Sequence, residues 1–513
     1  MPLNNTVSIL LPGAVIAGAA VVVFLVDLFL SRKGALAWIA VAGLLAGAAV
    51  AFGQWGQWTA GFAVWRVFSG GLVFGRREAV VGFAGMIGHD RYTLYAVVLF
   101  AAIGVLTVLL ADAYLAKRGA ARGEFYGLLL LIVSGMIGMV LSTDIIAFFV
   151  SFELMSLPTY VLAGYIWTDE RSSEASLKYF VTGAFSSAIL AFGLALLYAA
   201  TGETSYAGIA AGVTKLSVAD IGGGGFLVVA FVLVVTGFGF KVSAVPFHSW
   251  APDVYEGAPT PVTAFMATGV KAAAFAGFAK LFVMAAGGDW AHWGHVMIVL
   301  AILTMVVGNV LALPQRNLKR MLAYSSIAHA GYLTLGLIAA GKSGDRLGVS
   351  AILFYLAAYA LMNLGAFGVL IWIRARRKYD YSLDGVAGLG RSMPWPAMFL
   401  ALFLVSLTGI PPTVGFWGKF YLFTAVIQAH LTWLAIIAVV MSAVSAYYYL
   451  RVVWYMYFRE VPEGGELESE SPASAAGATT AVALAALGVV VIGLFPGPLL
   501  EAAQGAVRIL IGG

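Results

Sequence analysis

The sequence predicts an all-α, polytopic membrane protein, and three observations carry the prediction. Hydrophobic residues make up 62% of the 513 residues and charged residues only 10%, whereas soluble proteins have about 25% charged residues. Apolar runs of about 20 residues, the length of a membrane-spanning helix, recur from end to end. Most basic residues lie in loops between these runs, so the net charge of +5 does not indicate nucleic-acid binding.

The apolar runs indicate about fourteen transmembrane helices. They lie near 7–30, 36–53, 91–112, 125–142, 144–166, 175–200, 225–247, 260–285, 292–313, 320–340, 348–374, 393–426, 430–458 and 476–499. The first run lacks a cationic lead and a convincing cleavage site, so we interpret it as a retained helix rather than a signal peptide. An even number of helices places both termini on one side. Loops on the opposite side hold about twice as many Lys and Arg, so we expect both termini outside.

The connecting segments add few candidates for chemistry. The longest, 54–90, alternates Gly and aromatic residues and predicts a short hairpin on the outer surface, while the acidic segment 460–475 predicts a solvated inner loop. His292 and His295 stand beside tryptophans at a helix end, which favours an interfacial anchor over a metal site. The chain has no cysteine, which excludes disulfides and cysteine-ligated iron–sulfur clusters.

Two apolar runs contain both proline and lysine, which predicts an internal repeat. Pro246 follows Lys241 in one run, and Pro411 and Pro412 precede Lys419 in a run five helices later. Because five crossings is an odd number, a tandem copy is inverted in the membrane, an architecture typical of transporters with a midplane site. The predicted units are 1–124 (three helices and the outer loop), 125–285 and 286–459 (five helices each, with one broken helix) and 460–513 (inner loop and last helix).

An ionisable residue at the centre of a membrane helix costs about 2.5–3.5 kcal/mol and therefore marks a functional site. Glu153 lies about nine residues into the fifth apolar run, near mid-depth. Lys241 is its natural partner, because a helix broken near Pro246 frees backbone carbonyls and admits water. The alternative is a static ion pair that only fixes helix register.

Three further ionisable residues lie at similar depth: Lys271, His329 and Lys419. Lysine and histidine side chains can exchange protons near neutral pH when their surroundings are tuned. Together with the predicted carboxylate–lysine pair, they predict a path for protons across the membrane. For His329 the alternative is a core histidine hydrogen-bonded to Ser325 or Ser326.

Other ionisable residues are weaker candidates. Lys178 begins the sixth run and either modulates the carboxylate–lysine pair or lies at the surface. His248, just past Pro246, is a candidate for proton uptake at the inner surface. Lys280 is nearer a helix end, where we expect its ammonium to reach the membrane surface, and it is not assigned to the path.

Four segments carry a resemblance to a known family. FFVSFELMSLPTYVLAGY, FGFKVSAVPFHSWAPDVYEGAPTPVTAF, RNLKRMLAYSSIAHAGY and LTGIPPTVGFWGKFYLF resemble the antiporter-like, proton-translocating membrane subunits of respiratory complex I (NADH-quinone oxidoreductase). The likeness extends over about 90–460 and is strongest to the N-type subunits. M-type subunits carry glutamate where this chain has Lys419, and L-type subunits extend into a long lateral helix. Photosynthetic relatives usually have glutamine where this chain has His329.

The resemblance implies a role for each candidate residue. Glu153 and Lys241 are implied to form the charged pair of the proton-input half. The others are implied to be a central relay (Lys271), a connecting group (His329), the terminal lysine of the output half (Lys419) and the markers of two broken helices (Pro246, Pro411 and Pro412).

The resemblance also implies partners and a location. We expect NADH, FMN, iron–sulfur clusters and quinone in partner subunits, and no cofactor or metal in this chain. Expected partners are the other membrane and peripheral subunits, especially a neighbouring antiporter-like subunit and small membrane subunits, in a bacterial inner (plasma) membrane. Two alternatives stay open: a stand-alone cation/proton antiporter, and a structural spacer with an inactive channel.

Overall fold

The computed structural model describes residues 3–30, 33–59, 80–120, 122–219, 223–286, 290–344, 346–376, 381–460 and 476–508, and this part of the chain is nearly all helical. In chain order its longer elements are α1 (Leu3–Phe29), α2 (Gly34–Thr59), β1 (Val80–Gly82), β2 (Ile87–His89), α3 (Arg91–Lys117), α4 (Gly123–Leu141), α5 (Ile145–Ala163), α6 (Glu170–Thr201), α7 (Tyr206–Ala219), α8 (Gly223–Lys241), α9 (Trp250–Gly257), α10 (Thr260–Phe265), α11 (Lys271–Ala286), α12 (Trp290–Ala312), α13 (Leu318–Ser343), α14 (Arg346–Arg376), α15 (Leu389–Ser392), α16 (Pro394–Thr408), α17 (Val414–Gln428), α18 (Thr432–Phe458), α19 (Ala476–Leu494) and α20 (Gly497–Val507).

The all-α membrane prediction is confirmed. Within the described ranges, twelve helices are long and apolar enough to cross a membrane, α10 and α11 counting as one because a π-helical turn at Met266–Val270 joins them. The two remaining predicted spans are those expected to be broken: 393–426 is in two pieces, α16 and α17, whereas 225–247 is helical only to Lys241 and the next helix, α9, begins beyond it at Trp250. The short helices α7 and α20 were not predicted. The inverted pairing of 125–285 with 286–459 stays a prediction.

The first break separates α8, which ends at Lys241, from α9, which begins at Trp250. The Trp250 indole nitrogen donates a hydrogen bond to the Phe240 carbonyl at 3.2 Å. The Val245 amide donates to the Thr304 hydroxyl of α12 at 3.0 Å. Neighbouring side chains therefore replace helical hydrogen bonds here, as the membrane interior requires of any interrupted backbone.

The second break separates α16, which ends at Thr408, from α17. Gly409 turns the chain with a φ of +92°, a conformation that glycine adopts without steric cost. The Gly415 amide then donates to the Ser406 hydroxyl at 3.2 Å. A Cβ atom at Gly415 would lie only 1.8 Å from the Ser406 carbonyl oxygen, so this position needs glycine.

A two-stranded antiparallel hairpin, β1 with β2, precedes α3. The Thr143 amide, between α4 and α5, donates to the Met86 carbonyl of the hairpin at 2.9 Å. The hairpin predicted within 54–90 is thus present at residues 80–89. Residues 60–79 of that loop, and 461–475 of the predicted inner loop, lie outside the described residues.

The centre of the bundle is formed by α10–α11, α13 and α14. Between 89% and 94% of the most apolar stretch of each is buried within the chain, compared with 28–44% for most of the other spans. Lys271 and His329 both lie on these central helices.

Candidate functional site

Lys271 and His329 lie at a common depth in the bundle. Each is about eleven residues from the start of its span, at Thr260 and Leu318 respectively, which corresponds to about 16 Å at 1.5 Å per residue. That is half of a hydrocarbon core about 30 Å thick. Both side chains are 1% exposed. Both side chains therefore lie about halfway along the distance a spanning helix has to cover, and their depth in the membrane stays a prediction.

Lys241, the last residue of α8, is 4% exposed. Its ammonium donates a hydrogen bond to the Ser156 hydroxyl of α5 at 2.7 Å. That hydroxyl donates in turn to the Phe152 carbonyl at 2.6 Å, so its lone pairs face the lysine. The lysine nitrogen also lies 4.9–5.8 Å from the ring centres of three aromatic residues, Phe152, Tyr160 and Tyr179, within the range of cation–π attraction.

Glu153 and Lys241 do not form an ion pair in this structure, because Ser156 holds the ammonium instead. The Glu153 Oε1 atom is buried and accepts no hydrogen bond from the described residues. Glu153 lies three positions before Ser156 on α5, on the same side of the helix as the hydroxyl that binds Lys241. It lies beside an exposed stripe of α5 formed by Val150, Leu154 and Leu157. Glu153 is therefore close to the first lysine and also close to the outside of the chain.

Lys271 follows directly after the π-helical turn and faces α13. Its ammonium donates hydrogen bonds to the Ser326 carbonyl and the Ser326 hydroxyl, each at 2.5 Å. The same nitrogen lies 5.9 Å from the centre of the Tyr359 ring. A widened turn at this position is typical of functional sites in helices.

His329 is held by two tyrosines rather than by Ser325 or Ser326 directly. Its Nδ1 atom is 2.5 Å from the Tyr355 hydroxyl, and its Nε2 atom is 3.1 Å from the Tyr449 hydroxyl. The Tyr449 hydroxyl also hydrogen-bonds Ser325. The alternative of a serine-bonded core histidine is therefore wrong in its partners. Hydrogen bonds therefore link Ser325 to Tyr449, Tyr449 to His329 and His329 to Tyr355. Ser325 is adjacent in sequence to Ser326, which binds Lys271.

Lys419, on α17, binds across the second break to the end of α16. Its ammonium donates at 2.8 Å to the Thr408 carbonyl, at the C-terminus of α16, and at 2.8 Å to the Ser442 hydroxyl of α18. The carbonyls at a helix C-terminus are unpaired and partly negative, which stabilises a cation. The Lys419 nitrogen lies 5.2 Å from the centre of the Tyr332 ring, which lies 5.7 Å from the His329 ring.

The three mid-depth lysines share one kind of partner. Each ammonium donates to a serine hydroxyl, and none is in ion-pair contact with a carboxylate of the described residues. A hydroxyl oxygen accepts a hydrogen bond from an ammonium and equally from the N–H bonds that a neutral amine retains. Such a site stays hydrogen-bonded whether or not the lysine carries its proton. Within the described ranges, no hydrogen bond joins Lys241 and its partner Ser156 to Lys271 and its partner Ser326.

The supporting residues lie apart from this chain of groups. Lys178 is 42% exposed and pairs with Glu174 at 2.7 Å and Asp253 at 2.9 Å, not with Glu153. The same Asp253 binds Arg320 at 2.8 Å. Burial opposes ionisation of Asp253, but the hydrogen bonds from Lys178 and Arg320 hold its pKa below the usual value. His248 is half-buried beyond Pro246 and contacts none of the mid-depth groups through a hydrogen bond.

The sequence missed several residues that the structure brings together. Lys280 does not reach the surface: it is 1% exposed and pairs with Asp90 at 3.6 Å. Helix α11 continues to Ala286, and Lys280 is buried against its neighbours rather than extended to the end of the helix. The serine and tyrosine partners were missed because uncharged residues in an apolar run resemble ordinary core residues. Within the described residues no group of His, Asp and Glu is arranged to hold a metal ion, and His295 is exposed.

The chain is similar to known proteins over most of its length. Residues 142–445 match the family described as NADH:quinone oxidoreductase/Mrp antiporter, transmembrane. NADH-quinone oxidoreductase subunit N of Trichlorobacter lovleyi is 40% identical, covering 98% of this chain and 97% of that protein. Subunit N of Myxococcus xanthus is 42% identical, covering 96% and 95%.

A solved structure of respiratory complex I from Thermus thermophilus with bound aureothin contains a chain of the same fold. That chain is 31% identical, with a TM-score of 0.75, and the alignment covers 96% of this chain and all of that one. Nearly full-length matches at this identity establish the family. The chain belongs to the NADH:quinone oxidoreductase/Mrp antiporter family of membrane proteins, among the subunits N of NADH-quinone oxidoreductases.

Proposed function

We propose that this chain is a proton-translocating membrane subunit of an NADH-quinone oxidoreductase and carries a proton channel of its own. NADH oxidation and quinone reduction, with the FMN and iron–sulfur clusters they need, take place in partner subunits, and this chain holds no redox centre. The subunit N relatives, about 40% identical over nearly the whole length, favour this function over a stand-alone cation/proton antiporter.

The observation that carries the proposal is the buried chain of proton-bearing groups at mid-depth. Lys271 binds Ser326, and the adjacent Ser325 reaches His329 through Tyr449. Ordinary membrane cores do not bury ammonium and imidazole groups, because each costs several kcal/mol in hydrocarbon. We assign Lys271 and His329 as the central relay, with Lys241 before them and Lys419 after them.

We assign Glu153 as the group through which a neighbouring subunit drives the channel. Because the carboxylate lies beside the exposed face of α5, a partner packed there can move it toward or away from Lys241. Two unit charges at 4 Å interact by about 4 kcal/mol at an effective dielectric of about 20. Moving one charge against 100 mV costs about 2.3 kcal/mol. Opening and closing one such pair is therefore of the right size to drive one proton.

We propose that both termini and the β-hairpin face the outside. A cavity of about 690 Å³ at the opposite end of the bundle is lined by basic side chains that include Lys117, Arg118, Lys319 and Arg374. A concentration of Lys and Arg at one end of a helix bundle is typical of the cytoplasmic side.

The test is proton translocation per electron pair in membranes that contain the whole complex. We expect Lys241→Ala and Lys419→Ala each to lower this ratio, while quinone reductase activity in the presence of an uncoupler persists. Lys342→Ala, at the exposed end of α13, is the matched control and leaves the ratio unchanged. An unchanged ratio in both site variants refutes the channel assignment and leaves the structural-spacer alternative. Cation-driven proton exchange by the chain alone would favour the antiporter alternative.

A further inference from the structure

The hydrogen bonds around His329 stop short of Lys419. Within the described residues, no hydrogen bond joins His329 or its partners to that lysine, which donates instead to the Thr408 carbonyl and the Ser442 hydroxyl. The ring of Tyr332 is close to both groups: its centre is 5.2 Å from the Lys419 nitrogen and 5.7 Å from the centre of the His329 ring. The position of this ring therefore affects how the two groups face each other.

Asn309, on α12, holds the hydroxyl end of Tyr332. Its side chain is fully buried. The amide nitrogen donates to the Tyr332 hydroxyl at 3.1 Å and to the Met305 carbonyl of its own helix at 2.8 Å. The amide oxygen accepts a hydrogen bond from the Tyr448 hydroxyl of α18 at 3.1 Å. Because a carbonyl can only accept, the Met305 contact determines which end of the amide is the nitrogen.

Tyr448 connects the same amide to the surroundings of His329. It directly precedes Tyr449 on α18, and the Tyr449 hydroxyl hydrogen-bonds His329. The centres of the two tyrosine rings are 4.4 Å apart. A single amide, that of Asn309, therefore fixes two tyrosines: one lies against Lys419, and the other lies against the partner of His329.

Helices α12 and α13 approach each other closely beside this amide. A Cβ atom at Gly308 would lie 2.6 Å from the backbone nitrogen of Ala328, and one at Gly331 would lie 2.8 Å from the backbone nitrogen of Met305. Each glycine is the direct neighbour in sequence of one of the two hydrogen-bonded residues on these helices. Small residues allow this close approach between membrane helices, and it leaves the amide and the ring little room to shift.

A buried asparagine between membrane helices can serve only to join them. Here its hydrogen-bond partners on the other helices are both tyrosines that contact residues of the proposed path. We propose that Asn309 is a positioning residue for the step between His329 and Lys419, an inference that rests on the proposed proton channel. It does not carry the proton, because its amide neither takes up nor releases one near neutral pH.

The amide acts by holding the face of Tyr332 against the Lys419 ammonium. The face of an aromatic ring is negative and favours a cation beside it. At a desolvated site this contact changes the balance between charged and neutral lysine by roughly fivefold to thirtyfold. A ring that is released from Asn309 shifts away, and Lys419 then accepts the proton from the relay less readily.

The test is proton translocation per electron pair in membranes that contain the whole complex, compared with the amount of assembled complex. Asn309→Leu keeps a side chain of similar size and removes the hydrogen bonds of the amide. Tyr332→Phe keeps the ring and removes only the hydroxyl that Asn309 binds. We expect Asn309→Leu to lose most of the translocation that Lys419→Ala loses, and Tyr332→Phe to lose part of it, with uncoupled quinone reductase activity retained. The double variant should be no worse than Asn309→Leu alone, because the two residues act through one contact.

Thr334→Val, on the same helix as Tyr332, is the matched control. The Thr334 hydroxyl is buried and donates to the Ala330 carbonyl of its own helix at 2.8 Å. The variant therefore removes a buried hydrogen bond at a similar level without touching the path, and its translocation per electron pair should equal that of the wild type.

The outcomes distinguish this inference from the proposed function. Normal translocation in assembled Asn309→Leu complexes, with a loss in Lys419→Ala, overturns the positioning role and leaves the channel assignment intact. Losses that add in the double variant would also overturn it, since the two residues would then act independently. Normal translocation in Lys419→Ala would instead remove the proposed function on which the inference rests. If Asn309→Leu does not assemble, Tyr332→Phe and Tyr448→Phe decide, and normal translocation in both overturns the inference.

Discussion

Replacing Gly418 with alanine tests whether the hydrogen bond between Tyr355 and His329 is part of the proton path. A Cβ atom at Gly418 would lie 2.4 Å from Tyr355 Cδ2 and 3.0 Å from its Cε2. Carbon atoms in contact are normally about 3.5–4.0 Å apart, so the ring has to move by roughly 1 Å. The Tyr355 hydroxyl is now 2.5 Å from His329 Nδ1. A shift of roughly 1 Å directed away from His329 would take the pair to the limit of hydrogen bonding.

The size of the expected effect on proton transfer follows from the free energy of one hydrogen bond. A hydrogen bond contributes about 0.5–1.5 kcal/mol net, so its loss changes a proton-transfer equilibrium by roughly twofold to tenfold. Overpacking adds about 1–3 kcal/mol of destabilisation. All the titratable residues remain in Gly418→Ala, so lost translocation would report on the contact rather than on a missing proton carrier.

The assay is proton translocation per electron pair in vesicles, compared with uncoupled quinone reductase activity and with the amount of assembled complex. Gly505→Ala, on α20, is the matched control, because a Cβ atom there meets nothing within 4 Å. Tyr355→Phe removes the hydroxyl without adding bulk and should give the same direction of change. Full translocation in an assembled Gly418→Ala complex, or in Tyr355→Phe, would refute the reasoning.

Three further predictions follow from single contacts. Tyr449→Phe removes the hydroxyl that joins the serine pair to His329 and should lower translocation while leaving assembly normal; equal translocation would exclude Tyr449 from the path. Gly415→Ala places a Cβ atom 1.8 Å from a backbone oxygen and should destabilise the fold by roughly 3 kcal/mol. Native gels should then show less assembled complex, and a wild-type yield would contradict the prediction. Because burial lowers the folded-state pKa of His89 from its ordinary value of 6.5 to about 4, unfolding takes up a proton between these pH values, and folded stability falls by about 3 kcal/mol as the pH drops through them. His89→Gln should show a shallower loss in thermal melts over that range, and an unchanged slope would count against the burial of a neutral histidine.

The approximate number and the positions of most membrane helices could be predicted because a membrane permits few alternatives. Every backbone polar group in hydrocarbon has to be satisfied within a helix, so an apolar run of span length is almost always a helix. The same rule located both breaks, since Pro246 and the pair Pro411–Pro412 cannot continue a helix. It could not find α7 or α20, because helices of 14 and 11 residues are too short to give the signal of a span.

The charged residues of the site could be predicted, but their partners could not. Lys271 and His329 stood out in the sequence because a charge inside an apolar run is costly and therefore rare. Ser326, Tyr355 and Tyr449 carry no such cost, and which of them faces the relay depends on how four helices pack. A shift of two positions along a helix turns a side chain from one face to another. The sequence pattern does not show which serine or tyrosine faces the relay.

Lys280 was misjudged for a different reason. Distance from the end of an apolar run measures depth, and by depth this lysine was close enough to the surface to extend there. Whether it does so depends on the neighbours at that level. The structure places Asp90 and the Val140 carbonyl against it, so the ammonium finds its partners inside the protein. An acidic residue at the start of another helix, far away in sequence, gives no local sign of this contact.

The serine partners explain how three lysines can be buried at mid-depth and still exchange protons. A lysine paired with a buried carboxylate leaves an unpaired charge behind when its proton departs, and breaking such a pair is strongly destabilising, by about 3–5 kcal/mol. Lys241, Lys271 and Lys419 avoid that cost, because their partners are uncharged hydroxyls that accept a hydrogen bond from the neutral amine as well as from the ammonium. We propose that the Glu153 carboxylate approaches Lys241 only at one stage of the pumping cycle. It then favours the charged form of Lys241 at that stage alone. A permanent Glu153–Lys241 contact would hold the proton in place, so the separation of the two in this structure is what a working relay needs.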